Sequence, residues 1–220
     1  GPVNQRGYHP LRTVFQAISL YDELTIQLSD NNATKITCDW SDLPEENTVS
    51  RALRYLSEYI AMPPLQIHIK KQIPHQSGLG GGSSDAAGLL RGAIPFLKFR
   101  PSDHDLHDIA IAVGADVPFF LVGGRARGEG YGEILTALDD PPTKWLVVAR
   151  PDVGCPTSLA YKRLDAVPAS GGTGIQKTRL TTILKASHQP SVSTSSVSFL
   201  KLGPAKPFFA DLARRFLGLS

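Results

Sequence analysis

A glycine cluster that runs directly into a predicted helix start is the feature of this sequence best suited to chemistry. Residues 78–87 read GLGGGSSDAA. Glycine tolerates positive φ and lets the backbone approach a ligand closely, and the first turn of a helix offers unpaired N–H donors with about half a positive charge. Backbone amides and serine hydroxyls can therefore surround phosphate oxygens. The residues predicted to form this anion site are Gly78, Leu79, Gly80, Gly81, Gly82, Ser83 and Ser84.

Two familiar phosphate-binding loops do not fit these residues. A P-loop ends in Gly-Lys-Ser/Thr, whereas Gly82 is followed by Ser83 with no lysine between them. A Rossmann GxGxxG fingerprint would need a glycine where Ser83 stands. Judged from the glycines alone, the alternative to an anion site is a glycine-rich β-turn that precedes a well-capped helix.

The elements that must position this loop are a mixture of strands and helices. Alternating apolar and polar residues predict half-buried strands at 24–28 (LTIQL) and 65–71 (LQIHIKK). Apolar residues at helical spacing predict an amphipathic helix over 49–60. Further along, the pattern predicts helices at 84–93 and 105–113 and a fully buried strand at 144–151. The fold class is therefore α+β, with one sheet-and-helix core.

Composition limits the classes of partner. The chain has 220 residues and a formal net charge of +3, and its Lys and Arg are scattered among Asp and Glu. We therefore predict no nucleic acid and no membrane as partner, while an anionic small molecule fits equally well. Cys38 and Cys155 belong to no CxxC or Cys/His cluster, which disfavours zinc or a disulfide framework. No run of about 18 apolar residues occurs, so a soluble protein is expected.

The glycine loop resembles the phosphate-binding motif of the galactokinase, homoserine kinase, mevalonate kinase and phosphomevalonate kinase superfamily, the GHMP kinases. Other segments resemble one family within it, the 4-diphosphocytidyl-2-C-methyl-D-erythritol kinases of the non-mevalonate route to isoprenoid precursors. These are GYHPLRTVFQAISLYDELTI (7–26), ENTVSRAL (46–53), GADVPFFLVGG (114–124), GEGYGEILTAL (128–138) and PTSLAYKRLD (156–165). The resemblance implies the GHMP kinase fold, whose N-terminal domain is ribosomal protein S5 domain 2-like.

The resemblance also implies roles for individual side chains. Asp116, within GADVPFF, would contact the accepting hydroxyl and take or hold its proton. Tyr8 and His9 match a Tyr-His pair in which the histidine reads the cytosine edge and the tyrosine packs beside it. Tyr161 would close the other side of the base, and Thr157 would lie near the substrate wall. From the residue types alone, each aromatic is equally an ordinary core or surface residue, and His9 can cap a carbonyl.

Three residues near the loop have both an implied role and an ordinary alternative. The resemblance puts Asn47 and Lys71 on the adenine side and lets Asp85 meet Mg²⁺ through water. Asn47 can instead cap the helix that it begins, Lys71 can be an exposed strand end, and Asp85 can favour the helix N-terminus. The segment GRARGEGYGE (124–133) is either a second phosphate loop or, as the family position favours, a hairpin turn beside the active site.

The resemblance implies an unusual domain organisation. Residues 1–150 would form the N-terminal ATP-binding domain, and residues 151–168 would begin a C-terminal substrate domain. The family's first strand, PAKINL, whose lysine approaches the transferred phosphate, is expected to be missing, and the C-terminal ferredoxin-like domain is expected to be largely absent. Residues 169–220 have the composition of a Ser-rich linker, and helical spacing returns at 207–219.

The function that the resemblance implies is ATP-dependent phosphorylation of the 2-hydroxyl of 4-diphosphocytidyl-2-C-methyl-D-erythritol. ATP and Mg²⁺ would be the cofactors, and the bacterial cytoplasm or the plastid stroma would be the location. Because the cationic partner of Asp116 is expected to be missing, the alternative is a catalytically impaired nucleotide-binding fragment or paralogue of this family.

Overall fold

The computed structural model describes residues 9–41, 43–98, 100–140, 142, 144–151, 157–165 and 194–202. The strands are β1 (Thr13–Gln16), β2 (Glu23–Leu28), β3 (Lys35–Cys38), β4 (Leu65–Lys70), β5 (Arg125–Glu129), β6 (Ile134–Leu138), β7 (Lys144–Pro151) and β8 (Thr194–Leu202). The helices are α1 (Thr48–Tyr59), α2 (Gly81–Gly92), α3 (Asp103–Val113), α4 (Val117–Val122) and α5 (Thr157–Asp165), with a 3₁₀ turn at Ile94–Phe96. The chain divides into a first unit (1–73, 80–146, 200–220) and a second unit (74–79, 147–199).

The central sheet of the first unit has the strand order β2-β4-β3. Strand β2 runs antiparallel to β4, and β3 runs parallel to β4. Along β4 the buried side chains are Leu65, Ile67 and Ile69, whereas the alternate residues are less buried. This period of two is what a strand with one face on the core requires, so the predicted strands at 24–28 and 65–71 are confirmed.

Helices α1 and α2 cover the buried face of this sheet. The predicted helix over 49–60 is confirmed as α1, and its fully buried side chains include Val49 and Leu56. Helix α2 buries Ala86, Ala87, Leu89 and Leu90. Small side chains let a helix lie close to its neighbours, so α2 is surrounded by the core that the sheet and the other helices share.

Helix α2 begins three residues before the predicted start. Its first helical residue is Gly81, whereas the pattern predicted Ser84. Glycines are poor helix formers, and the pattern therefore placed them in a loop. The predicted helix at 105–113 is confirmed as α3, which begins at Asp103 and is capped by Ser102, whose hydroxyl accepts a hydrogen bond from the Asp105 N–H at 3.1 Å.

A second sheet in the first unit has the antiparallel order β1-β5-β6. Strands β5 and β6 form the hairpin that the family position favoured for 124–133, so the alternative of a second phosphate loop is not needed there. Phe15 of β1 stacks on Phe119 of α4 with ring centroids 5.0 Å apart. This ring pair packs the second sheet onto α4.

The C-terminal strands depart from the sequence prediction in two respects. The apolar run at 144–151 forms β7, but Trp145 is 70% exposed, so the prediction of a fully buried strand is wrong at that residue. Strand β8 pairs with β7 and lies within the segment whose composition predicted a linker. Its Thr, Val and Phe residues favour strands, which outweighs the serines. The predicted helical segment at 207–219 lies outside the described residues.

Helix α5 lies in the second unit, and the predicted start of a substrate domain at residue 151 stays a prediction. Within the part of the chain that the structure describes, no helix has both the length and the apolar character needed to cross a membrane.

Candidate active site

The junction before α2 has the backbone geometry of an anion site. Gly80 is the N-cap of α2 with φ 73°, and no side chain caps the helix at this residue. The Gly80 carbonyl accepts the first helical hydrogen bond from the Ser84 N–H at 2.9 Å. The N–H groups of the first turn, Gly81 to Ser83, therefore precede that first bond and are available to an external acceptor.

The glycines at this junction are required by close neighbours as well as by φ. A Cβ on Gly80 would lie 2.7 Å from Phe120 Cζ, which is closer than atoms approach. A Cβ on Gly82 would lie 3.0 Å from Thr48 Oγ1, and that hydroxyl donates to the Gly82 carbonyl at 2.6 Å. The starts of α1 and α2 are thus joined directly. Gly78 and Leu79 belong to the second unit, in which Gly78 also has a positive φ of 75°.

A buried cluster of three charges lies under the first turns of α2. Lys71 Nζ lies 2.5 Å from Asp22 Oδ2 and 2.8 Å from Asp85 Oδ2. The three side chains are 9%, 1% and 6% exposed, for Lys71, Asp22 and Asp85 respectively. Asp22 Oδ1 also accepts hydrogen bonds from the N–H groups of Gln72 and Ile73 at 2.6 and 2.8 Å. The alternative of Lys71 as an exposed strand end is therefore wrong.

Burial sets the protonation of this cluster. Burial raises the pKa of Asp85 from 3.8 to about 7, against the lowering effect of the Lys71 ammonium. Burial alone would lower the pKa of Lys71, but its hydrogen bonds to Asp22 and Asp85 outweigh this effect and the pKa is raised. Two carboxylates around one ammonium leave a net negative charge in a dry site, which favours one added proton.

The donors around Asp85 do not fit a directly bound Mg²⁺. Its Oδ2 already binds the Lys71 ammonium, and Oδ1 is buried without a hydrogen-bond partner in the described structure. Within the described ranges, no group of three or more His, Cys, Asp or Glu side chains could hold a metal ion. The Lys71 ammonium, 2.8 Å from Asp85 Oδ2, would strongly repel a metal ion bound to the same carboxylate. Asp85 is therefore poorly suited to bind a metal ion directly. Its contact with Mg²⁺ through water stays a prediction.

The structure confirms that Asn47 caps a helix, which was the ordinary alternative for this residue. Its Oδ1 accepts hydrogen bonds from the N–H groups of Val49 and Ser50 at 2.9 and 3.0 Å. The Ser50 hydroxyl accepts in return from the Asn47 N–H at 2.9 Å, which completes a capping box. The contact of Asn47 with adenine stays a prediction.

Asp116 lies immediately before α4 and beside the β5–β6 hairpin turn. The residue is exposed, and a Cβ on Gly132 would lie 3.6 Å from its Oδ1. Neighbouring protein atoms displace part of its water, and this burial raises its pKa. Gly132 has φ 117°, and the Tyr131 N–H donates to Glu133 Oε2 at 2.6 Å, so the turn has a defined shape. The carboxyl group is thus reachable by a ligand and more basic than usual.

The residues expected on the cytidine side are divided between the units. Tyr8 lies outside the described residues, and His9 is half-buried in the first unit. Thr157 begins α5 in the second unit, and Tyr161 on the same helix is 37% exposed. The first unit holds Asn47, Lys71, Asp85, Asp116 and the start of α2.

Three residues that sequence reasoning missed support this site. Asp22 completes the buried cluster, Phe120 touches the Gly80 backbone, and Gly132 lies beside Asp116. Asp22 precedes a predicted strand, and a charge there is indistinguishable from a solvated one until the fold places it beside Lys71. The sequence shows two adjacent phenylalanines in GADVPFF, but it does not show which residues each ring contacts.

Part of the sequence matches a known family, and several curated proteins are similar to most of the chain. Residues 47–124 match the family described as GHMP kinases N terminal domain. The 4-diphosphocytidyl-2-C-methyl-D-erythritol kinase of Geobacter metallireducens is 42% identical over 161 residues, 72% of this chain and 57% of the relative. The enzyme of the same name from Salinispora tropica is 39% identical over 195 residues, 86% of this chain and 62% of the relative. Residues 47–124 of the chain therefore belong to the GHMP kinase family.

Solved GHMP kinase structures support the same fold. A crystal structure of 4-(cytidine 5'-diphospho)-2C-methyl-D-erythritol kinase aligns with a TM-score of 0.64 and 27% identity, covering 98% of this chain and 89% of that one. A mevalonate kinase aligns with a TM-score of 0.62 and 12% identity, covering 97% and 90%, which shows the fold alone. The chain spans about three fifths of the length of the curated relatives named above.

The GHMP kinase match contains the residues predicted to bind phosphate, adenine and the accepting hydroxyl, but not those predicted on the cytidine side. Its range of 47–124 includes Asn47, Lys71, the start of α2 and Asp116. His9, Thr157 and Tyr161 lie outside this range, so the residues expected on the cytidine side rest on the longer similarity to the curated relatives.

We expect Gly80→Ala, at the N-cap of α2, to destabilise the protein, and Gly88→Ala, within α2, to stabilise it. Alanine at Gly80 needs a left-handed backbone, which costs about 1–2 kcal/mol, and its Cβ meets the Phe120 ring. A Cβ on Gly88 makes an ordinary contact 3.7 Å from Leu24 Cδ2, and alanine favours a helix over glycine by about 1 kcal/mol. Chemical denaturation of both variants measures this, and equal changes would contradict the junction geometry.

The raised pKa of Asp85 predicts a pH dependence of stability that Asp85→Asn removes. Between pH 3.8 and about 7 the folded protein keeps a proton on Asp85 that the unfolded chain releases. This contribution to the free energy of unfolding is present at low pH and is lost as pH rises through the folded pKa. From about pH 5 to pH 8, the unaltered protein should lose on the order of 1–3 kcal/mol relative to Asp85→Asn.

The matched control for this experiment is Asp30→Asn, because Asp30 is exposed and lies just after β2. Urea denaturation at each pH gives the free energies. A constant difference between the unaltered protein and Asp85→Asn across this range would show that Asp85 titrates normally.

Proposed function

We propose that this protein transfers the γ-phosphate of ATP to the 2-hydroxyl of 4-diphosphocytidyl-2-C-methyl-D-erythritol. The observation that carries the proposal is the start of α2, where Gly80 leaves the first N–H groups without a side-chain cap. The similarity to relatives named for this activity, at 39 to 42% identity, supports the choice of substrate.

The triphosphate of ATP binds at the start of α2 in this proposal. The N–H groups of Gly81, Gly82 and Ser83 donate to phosphate oxygens, and the helix dipole favours negative charge at this end. The Ser83 hydroxyl adds a donor, while the Ser84 hydroxyl already donates to the Gly81 carbonyl at 2.8 Å and holds the turn in shape. Gly78 and Leu79, which precede this turn in the chain, are also proposed to contact the phosphates.

Lys71 supports this site from beneath. A Cβ on Gly81 would lie 3.3 Å from Lys71 Nζ, so the ammonium lies against the backbone of the first turn. Asp22 and Asp85 neutralise its charge, so the cluster holds the first turn in place and the attraction for phosphates comes from the backbone N–H groups. The proposed adenine-side role of Lys71 and Asn47 rests on the resemblance, since the Lys71 ammonium is bound by both carboxylates and the Asn47 side chain caps α1.

Asp116 receives the proton of the accepting hydroxyl in this proposal. A carboxylate whose pKa is raised by burial is a stronger base than an ordinary one, which suits proton transfer near neutral pH. Its exposed position leaves room for the alcohol. Phosphoryl transfer needs the alcohol oxygen in line with the γ-phosphate, so Asp116 and the start of α2 must be held in a fixed relation.

The cytidine group is recognised by residues outside the family match. His9 would hydrogen-bond the cytosine edge, with Tyr8 beside it. Tyr161 offers an exposed ring for stacking, which adds about 0.5–1.5 kcal/mol beyond burial, and Thr157 lies one turn before it on α5. Each of these roles is proposed separately, from the similarity to the curated relatives named above.

A second candidate function is nucleotide binding without turnover. Burial is the one cause of the raised pKa of Asp116 within the described structure, and no cation contributes to it. A cation that acts on the transition state is commonly worth a factor of hundreds in rate. This candidate predicts that ATP binds in calorimetry while phosphoryl transfer stays at background.

Incubation with γ-phosphate-labelled ATP and 4-diphosphocytidyl-2-C-methyl-D-erythritol tests the proposal. We expect labelled product from the unaltered protein, and a loss of about 10²–10⁴-fold in kcat for Asp116→Asn, because the base is removed. Asp108→Asn, on exposed α3 surface, should retain full activity.

Three outcomes would decide against the proposal or refine it. Transfer to homoserine or mevalonate but not to the cytidine-linked alcohol would overturn the substrate. Equal turnover by Asp116→Asn would overturn the role of Asp116. ATP binding without any transfer would favour the second candidate function.

A further inference from the structure

Helix α4 connects the glycine junction to the hairpin turn through two adjacent rings. Phe119 stacks on Phe15 of β1 at 5.0 Å, and Phe120 lies edge-on to Phe119 with centroids 5.3 Å apart. Phe119 is buried, whereas Phe120 is half-buried and its ring lies against Gly80. Consecutive residues on this short helix therefore contact opposite sides of the proposed active site.

The contact between Phe120 and Gly80 is as close as a backbone permits. A Cβ on Gly80 would lie 2.7 Å from Phe120 Cζ and 2.8 Å from Cε2, so the ring occupies the space that any larger residue would need. Gly80 in turn holds the first hydrogen bond of α2, from the Ser84 N–H. The ring thus limits how far the start of α2 can move toward α4.

Asp116 lies four residues before Phe120, one helical turn away. Asp116 is the N-cap of α4, so a shift of this short helix would move Phe120 and the backbone of Asp116 together. On the far side of Asp116, Phe15 lies 3.3 Å from the Cβ position of Gly132 and stacks on Phe119. Asp116 thus lies between α4, which carries Phe119 and Phe120, and the hairpin turn at Gly132, which Phe15 also approaches.

We propose that Phe120 is a positioning residue, which sets the separation between the N–H groups at the start of α2 and the Asp116 carboxylate. This inference deepens the proposed function and rests on it. Phosphoryl transfer is sensitive to placement, since a misplacement of about 1 Å can cost on the order of 10²-fold in rate. A smaller side chain at position 120 leaves a gap into which the Gly80 backbone can move. The start of α2 and its distance from Asp116 then become variable.

The test compares Phe120→Leu with Phe96→Leu in the full chain. Phe96 is also half-buried and packs on the core, but it lies in the 3₁₀ turn beyond the C-terminal end of α2. Helix α2 has 12 residues and is about 18 Å long, so the control removes the same atoms far from Gly80. The primary measurement is hydrogen exchange of the Ser84 amide by NMR, since its partner is the Gly80 carbonyl.

In Phe120→Leu we expect the Ser84 amide to exchange at least tenfold faster than in the unaltered protein. In Phe96→Leu it should change no more than the other amides of α2. In kinase assays kcat should fall about tenfold or more for Phe120→Leu, with KM for the alcohol within about threefold, because placement and not binding is altered. Phe96→Leu should keep the kcat of the unaltered protein.

Equal Ser84 exchange in the two variants would overturn the inference, as would unchanged kcat in Phe120→Leu when the unaltered protein is active. The exchange measurement needs no turnover. If the unaltered protein transfers no phosphate, the proposed function fails, while faster Ser84 exchange in Phe120→Leu alone would still support the packing role of Phe120.

Discussion

The ion cluster of Asp22, Lys71 and Asp85 is the interaction on which the geometry of this protein depends most. Asp22 precedes β2, Lys71 follows β4, and Asp85 lies on α2, so three elements meet at one ammonium group. Desolvation offsets much of the attraction within a buried ion pair, so the cluster adds little net stability. The loss of one partner commonly costs about 3–5 kcal/mol, so the cluster strongly favours the one arrangement in which all three groups meet. The cluster fixes the start of α2 relative to the sheet.

The shape of the glycine junction follows from that fixed start. With α2 held from beneath by Lys71, the backbone of Gly80 is pressed from the side by Phe120, and the Gly82 carbonyl accepts a hydrogen bond from Thr48. Each contact excludes a side chain, so glycine is required by packing as well as by positive φ. The N–H groups of the first turn are thereby left uncapped and preorganised, which is how a protein binds an anion without first rearranging.

The sequence predicted the periodic elements well and the tertiary contacts poorly. Alternation identified β2 and β4, and helical spacing identified α1 and α3, because one buried face imposes those periods. Short elements such as β1, β3 and α4 have too few residues to show a period. Asp22 and Phe120 were missed for a different reason, since a charge or a ring reveals its partner only after distant segments pack together. Strand β8 formed where serine content predicted a linker, because strand propensity and pairing with β7 outweighed composition.

In the proposed function, main-chain amides at the start of α2 bind the phosphates of a nucleotide. Titration of the isotopically labelled full chain with ATP, followed by amide NMR, tests this claim most directly, because it reports each N–H group separately. We expect the largest shifts on saturation at Gly81, Gly82 and Ser83, and cytidine without phosphates should not reproduce them. Saturation by ATP with these three amides unmoved, or no binding at millimolar ATP, would contradict the account.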